Sequence, residues 1–124
     1  MNIPQIIIDK MPNDVLRIKS LTTVKDGWNF GQGKDFQIGS LYTLESFLQA
    51  GFTFPPKEPS IFLSDAGNLN FVWFEKKRSI EFELEFFTDK IEFYIFYANT
   101  DYYERHYSLE HISDLIKLIN DLST

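Results

Sequence analysis

Ile80-Glu81-Phe82-Glu83-Leu84-Glu85-Phe86 alternates apolar and acidic residues without a miss, and Ile91-Glu92-Phe93-Tyr94-Ile95-Phe96-Tyr97 nearly repeats the pattern. Successive side chains of a strand point to opposite faces, so this period of two predicts two strands with one oily face and one row of carboxylates. Working outward, Ile61 to Ser64 and Leu69 to Glu75 read as two further strands. The connections Asp65-Ala66-Gly67-Asn68, Lys76-Lys77 and Asp89-Lys90 are too short for parallel crossovers, so the four strands form an antiparallel meander.

Parity sets the faces. With Lys76-Lys77 as a two-residue loop, Trp73 faces Ile80 and Phe71 faces Phe82; with Asp89-Lys90 as the next, Phe86 faces Phe93, Glu85 faces Tyr94 and Glu83 faces Phe96. A one-residue slip puts Glu83 and Glu85 against the core, which desolvation forbids. The inner face is then Leu69, Phe71, Trp73, Ile80, Phe82, Leu84, Phe86, Ile91, Phe93, Ile95 and Tyr97. The outer face carries Asn70, Val72, Phe74, Glu81, Glu83, Glu85, Glu92, Tyr94 and Phe96.

The remaining segments read as helices and loops. Ile6-Ile7-Ile8 before Met11-Pro12 reads as an extended lead-in, because a proline disfavours helix at the residue before it. Asn13 and Asp14 open a first helix through Val15, Ile18 and Leu21, and a second runs from Ile38 to Ala50 with Ser40 as its cap and Leu41, Leu44, Phe47 and Leu48 as its stripe. Pro55-Pro56 and Pro59 stiffen the connector Phe54 to Ser60. Asn99 to Tyr107 reads as a polar, aromatic loop before a last helix capped by Ser108, with Ile112, Leu115, Ile116, Ile119 and Leu122 on its apolar face. The expected fold is α+β: one domain over residues 1–124, a four-stranded antiparallel meander with two N-terminal helices and one C-terminal helix packed on one face.

Composition narrows the function. At 124 residues the chain fits one domain able to bury a core without disulfides, and zero cysteines exclude a disulfide scaffold, a thiolate metal site and a cysteine nucleophile. A net charge of -6 and a pI near 4.8 disfavour direct nucleic-acid binding, which gains from a clustered basic face. The N-terminus lacks the basic and apolar parts of a secretory signal and no window approaches a membrane span, so a cytoplasmic location is expected. Aromatics reach 17%, with 13 Phe, which suits either a partner surface or a sheet core.

The outer face is the best functional candidate. Val72, Phe74, Glu81, Glu83, Glu85, Glu92, Tyr94 and Phe96 place aromatics beside carboxylates on an open sheet, a pattern that marks a partner or a covering element. Two plainer readings stand beside it: the long loop or the Ile6 to Ile8 segment folds over this face, or the glutamates simply guard against aggregation. Glu83 and Glu85 as a glycosidase pair would need different environments, whereas neighbours on one strand face are solvated alike. His106 and His111 are five apart, near Asp101, Glu104 and Glu110, and match neither a helical metal pair nor a known triad order. No metal and no cofactor are expected. Gly31-Gln32-Gly33-Lys34 follows a helix and lacks the ending of a P-loop. Its structural reading is a shaped loop of Gly27, Trp28, Asn29, Gly31 and Gly33, with Trp28 anchored in the core between helices.

Gly27-Trp28-Asn29 with Gly31 and Gly33, then a helix, a proline-rich linker, a Gly67 hairpin and the Trp73 strand, resembles a family of small uncharacterised bacterial and mobile-element proteins. Those carry a Gly-Trp-Asp-Gly-x-Gly-like loop before a helix, a prolyl connector, and a glycine hairpin leading into a Trp-bearing strand. The likeness covers roughly Val15 to Phe96. Asn29 stands where the family has an acid, with Phe30 beside it, and the C-terminal helix has no counterpart. The resemblance implies no established activity and a non-catalytic accessory role.

The reading is therefore a protein-binding module, of an antitoxin, immunity or anti-defence kind from a bacterial or phage system. A further variant has Glu81, Glu83, Glu85 and Glu92 standing in for phosphates. The alternatives are a homodimer subunit whose outer face pairs with its own copy, and a small hydrolase using Asp101, Glu104 and His106.

Overall fold

The computed structural model describes residues 2–55, 59–98 and 101–123, with Lys77 described by its backbone. Strands β1 (Ser60–Leu63), β2 (Leu69–Glu75), β3 (Ile80–Phe86), β4 (Lys90–Tyr97) and β5 (Tyr102–Ser108) form one antiparallel sheet in the order β1-β2-β3-β4-β5. The meander has five strands, not four. Its last strand comes from the stretch read as a loop, of which Asn99 and Thr100 lie outside the described residues. Tyr102, Glu104 and His106 take one face of β5 and Tyr103, Arg105 and Tyr107 the other, so both faces mix aromatic and polar groups and no amphipathic signal marks the strand.

Register differs from the expectation by two residues in both central hairpins, and the faces survive because two is even. Trp73 pairs with Phe82 and Phe71 with Leu84, since a 3-10 turn over Lys76–Arg78 and Ser79 at φ 52° lengthen the β2–β3 loop. Between β3 and β4 the turn is Thr88-Asp89, closed by Phe87 N–H donating to Lys90 O at 2.9 Å. Phe86 therefore pairs with Ile91, Leu84 with Phe93, Glu85 with Glu92, Glu83 with Tyr94 and Glu81 with Phe96. Glu85 beside Tyr94 and Glu83 beside Phe96 are thus corrected.

Three α-helices precede the sheet where two were expected: α1 (Gln5–Lys10), α2 (Val15–Leu21) and α3 (Ile38–Gln49). The Ile6-Ile7-Ile8 run is not extended but helical. Pro4 caps it at φ -53°, Ile7 N–H donates to Pro4 O at 3.0 Å, and Gln5 donates to Asp9 one turn on at 2.8 Å. Ile7 is buried within the helix, and Ile3 and Met11 are buried just beyond its two ends, an anchoring that outweighs β-branched propensity. Pro12 does end this helix, with Met11 outside the helical region at φ -134° and ψ 52°.

α3 spans the expected stretch, and Leu41, Leu44, Phe47 and Leu48 are all buried. Ser40 is not its cap. It is the third residue of the helix, fully buried, and its Oγ accepts from Leu69 N–H at 2.8 Å, tying the helix to the start of β2. Lys10 Nζ donates to the carbonyls of Leu48 at 3.1 Å and Phe52 at 3.0 Å, so a cation satisfies carbonyls at the C-terminal end of α3.

α4 (Ile112–Leu122) follows a 3-10 turn at Leu109–His111 and buries Ile112, Leu115 and Ile119 as its spacing predicts, although Ser108 makes no side-chain cap bond. α3 contacts β3, α1 contacts α3, α2 contacts β1 and α4 contacts β5. Buried residues of these helices and of the inner face join one apolar cluster, within which Phe47 sits 4.6 Å from Phe52 and 5.4 Å from Phe86. Tyr97 alone of the expected inner residues is well exposed, at the end of β4.

Candidate functional site on the outer face of the sheet

Antiparallel pairing arranges the outer face in three cross-strand rows. Phe74, Glu81, Phe96 and Tyr102 form the row nearest the β2–β3 loop. Val72, Glu83, Tyr94 and Glu104 form the next, and Phe62, Asn70, Glu85, Glu92 and His106 the third. Directly opposed side chains have Cβ atoms about 5 Å apart, so every outer aromatic of β4 is flanked on β3 by a carboxylate.

All eight expected surface residues lie on this face, joined by Tyr102, Glu104 and His106 of β5, which the loop reading missed, and by Phe62 of β1. Phe74 is 54% exposed and Tyr102 57%. The rings of Tyr94, Phe96 and Tyr102 lie nearly parallel, with centroids 5.7 Å apart for Phe96 and Tyr102, 6.4 Å for Tyr94 and Tyr102 and 6.5 Å for Tyr94 and Phe96. The Ile6 to Ile8 segment does not cover them, being the helix that packs on α3.

Polarity is uneven across the rows. In the third, Glu92 is 9% exposed and fully engaged: Lys90 Nζ is 2.9 Å away, Tyr94 donates its hydroxyl, and His106 Nε2 lies at 3.7 Å. Burial alone raises the Glu92 carboxyl, but the Tyr94 and Lys90 hydrogen bonds, with the Lys90 and His106 charges, hold it below the ordinary range. Burial and the bond to Glu92 push the Tyr94 phenol upward. Glu85 accepts from Ser64 Oγ at 2.8 Å and Asn68 Nδ2 at 3.1 Å. Glu104 accepts from Tyr102 and lies 2.5 Å from His106 Nε2, and both bonds lower its pKa.

The second row is less well served. Burial raises the Glu83 carboxyl, the Asn70 hydrogen bond at 3.2 Å opposes this, and the Glu81 and Glu85 charges raise it further. Among the described residues no ion pair reaches Glu81, Glu83 or Glu85. Asn70 is 7% exposed, and among the described residues no donor reaches its Oδ1, an omission that costs about 1 to 3 kcal/mol in a buried site.

The glycine loop is a small hairpin. Gly27 N–H donates to Gly33 O at 2.8 Å, and Asn29 and Gln32 exchange bonds of 2.9 Å. Gly33 is at φ +85°, and a Cβ there would lie 2.6 Å from Trp28 Nε1, so glycine is required for the indole to lie across the loop. Trp28 is thus not a core anchor. It is 40% exposed and donates Nε1–H to Lys34 O at 2.8 Å, closing the loop on itself. Asn29 bridges to Asp65 at 3.1 Å, while Phe30 at the tip is fully exposed with φ 51°.

The two histidines go to different partners: His106 to Glu104 and Glu92, His111 to Asp114 at 3.2 Å. The backbone carbonyl of Asp101 accepts from Tyr97 N–H at 2.9 Å. A cavity of about 320 Å³ lies elsewhere, lined by Gln37, Asn68, Phe87 and Thr88 among others. Among the described residues no group of three or more His, Cys, Asp or Glu is placed to hold a metal ion, and no helix is long and apolar enough to cross a membrane. No protein-family model, no curated protein and no solved structure matches the chain.

Proposed function

We propose that this protein is a non-catalytic binding module that captures another protein on the outer face of its sheet, with the helices gathered on the inner face. The observation that carries the reading is the first row, where Phe74 and Tyr102 are more than half exposed around Glu81 and Phe96. Isolated exposed aromatics are ordinary, but a stacked aromatic set spanning two strands beside carboxylates is the composition of an interface core with a polar rim. The setting we propose is an antitoxin, immunity or anti-defence protein working in the cytoplasm of a bacterial or phage system. Small size, net acidity and the likeness of the Gly27 to Gly33 loop to mobile-element proteins support that setting.

A photo-crosslinking residue in place of Tyr102 tests the reading in the native host, with the same residue at exposed Tyr42 on α3 as the control. A discrete adduct from position 102 and none from 42 is expected, lost on adding Phe74→Ser and Phe96→Ser. Equal adducts from both positions, or none from 102, overturn it. An adduct of twice the chain mass assigns the face to a second copy instead.

A further inference from the structure

We propose that the partner presents arginine: a guanidinium of a basic segment lies against the Phe96–Tyr102 end of the aromatic stack while its N–H groups bond the carboxylates of Glu81 and Glu83. This inference rests on the outer face being a protein-binding face and adds the chemistry of what it takes.

Charge complementarity is the first argument. Five glutamates, Glu81, Glu83, Glu85, Glu92 and Glu104, project from one face; Lys90 and His106 on its strands are both committed to Glu92 and its neighbour, and the basic Lys76–Arg78 turn borders the row of Glu81. The end bearing Glu81 and Glu83 has carboxylates without an ion pair among the described residues. An incoming cation there relieves the repulsion that Glu81 and Glu85 exert on Glu83.

Hydrogen bonding at Glu83 is the second. Asn70, nine-tenths buried, gives Glu83 an Nδ2–H bond at 3.2 Å, while the Asn70 Oδ1 is shut off from solvent, so the half-buried Glu83 carboxylate is the group a ligand can reach. Carboxylates without a cation ask for a ligand rich in N–H groups and poor in acceptors. Guanidinium and ammonium both qualify.

The aromatics decide between them. A planar guanidinium spreads across a ring face while its fork gives a carboxylate two parallel N–H bonds, whereas an ammonium, like Lys90 over Phe87 and beside Glu92, meets ring and carboxylate only as a point charge. Each β4 ring has its carboxylate in register, Glu81 beside Phe96 and Glu83 beside Tyr94. The chain already sets a guanidinium over a ring elsewhere: Arg105 sits 4.6 Å over the Tyr103 ring. Among the described residues no cation sits over Tyr94, Phe96 or Tyr102, so the stack is left for a cation from outside.

The test titrates the intact protein with hexa-arginine and hexa-lysine peptides at equal salt, by calorimetry and by amide chemical shifts. Because net charge attracts any polycation, the matched lysine peptide is the baseline. We expect hexa-arginine to bind about tenfold more tightly, with shifts centred on Glu81, Glu83, Phe96 and Tyr102. The pair Glu81→Gln with Glu83→Gln should remove most of that binding, whereas Glu45→Gln with Glu110→Gln, equal in charge, should leave it in place. Phe96→Leu with Tyr102→Leu should bring arginine down to the lysine level. Equal binding of the two peptides, equal loss from both glutamine pairs, or shifts centred elsewhere overturns the proposal. A crosslink from position 102 together with any of these results leaves the binding face standing and removes only the arginine.

Discussion

On the inner face Phe82 lies fully buried between Trp73 at 5.3 Å and Phe93 at 5.6 Å; on the outer face, one residue further along the same strand, Glu83 lies between Val72 and Tyr94. The two faces are cut from the same strands and share the same pairing, yet their packing differs. Inner rings meet rings and helices from every side, so each contact is apolar and replaceable only by matching volume. Outer rings stack across two neighbouring rows and border carboxylates, so their environment depends on hydrogen bonds, charge and pH. The larger share of apolar packing therefore lies on the inner face.

Ring deletions on the two faces test this difference most strongly. Phe82→Ala should cost about 3 to 5 kcal/mol in denaturant unfolding, as large buried rings do. Phe96→Ala should cost about 1 kcal/mol, the value of a half-buried cross-strand aromatic. Equal losses would mean that the outer face is a second core, and the comparison would fail.

Gly33→Ala tests a region belonging to neither face. Its Cβ would meet the Trp28 indole in a left-handed backbone. It should cost about 1 to 3 kcal/mol and raise Trp28 fluorescence accessibility, without altering peptide binding on the outer face.

The smallest effects separate the outer rows from each other. Glu92, held below the ordinary carboxylate range, contributes stability that is present at neutral pH and lost as pH falls through its lowered folded value. Glu83, held above it, does the reverse: its folded form binds the proton better, so stability is lost as pH rises through its raised value. Glu92→Gln should destabilise at pH 7 by about 1 kcal/mol, and Glu83→Gln should stabilise by about 0.5 kcal/mol, both differences shrinking below about pH 4. Melting curves at the two pH values check the signs. The same sign for both variants would show that the rows do not differ.

Much of this fold was legible from residues alone, and the misses have physical causes. The alternation of Ile80 to Phe86 assigned the inner and outer faces of β3 because parity is unchanged by any even shift in register. The stripe of α3 and that of α4 were equally plain, being unbroken at helical spacing. α1 was hidden because three β-branched residues in a row argue for strand, while burial of Ile3, Ile7 and Met11 against the core favoured helix. Trp28 was misplaced because a tryptophan among glycines is as able to cover its own loop as to enter a core.

Local alternation thus decides which residues face together, since the pleat is a property of each strand. Which residues stand opposite each other needed the folded chain, because it depends on how many residues the Lys76–Arg78 and Thr88-Asp89 turns consume. The fifth strand needed it too. Tyr102 to Ser108 carries no apolar face of its own, and β4 supplies the hydrogen-bonding edge that makes it a strand and completes the aromatic stack.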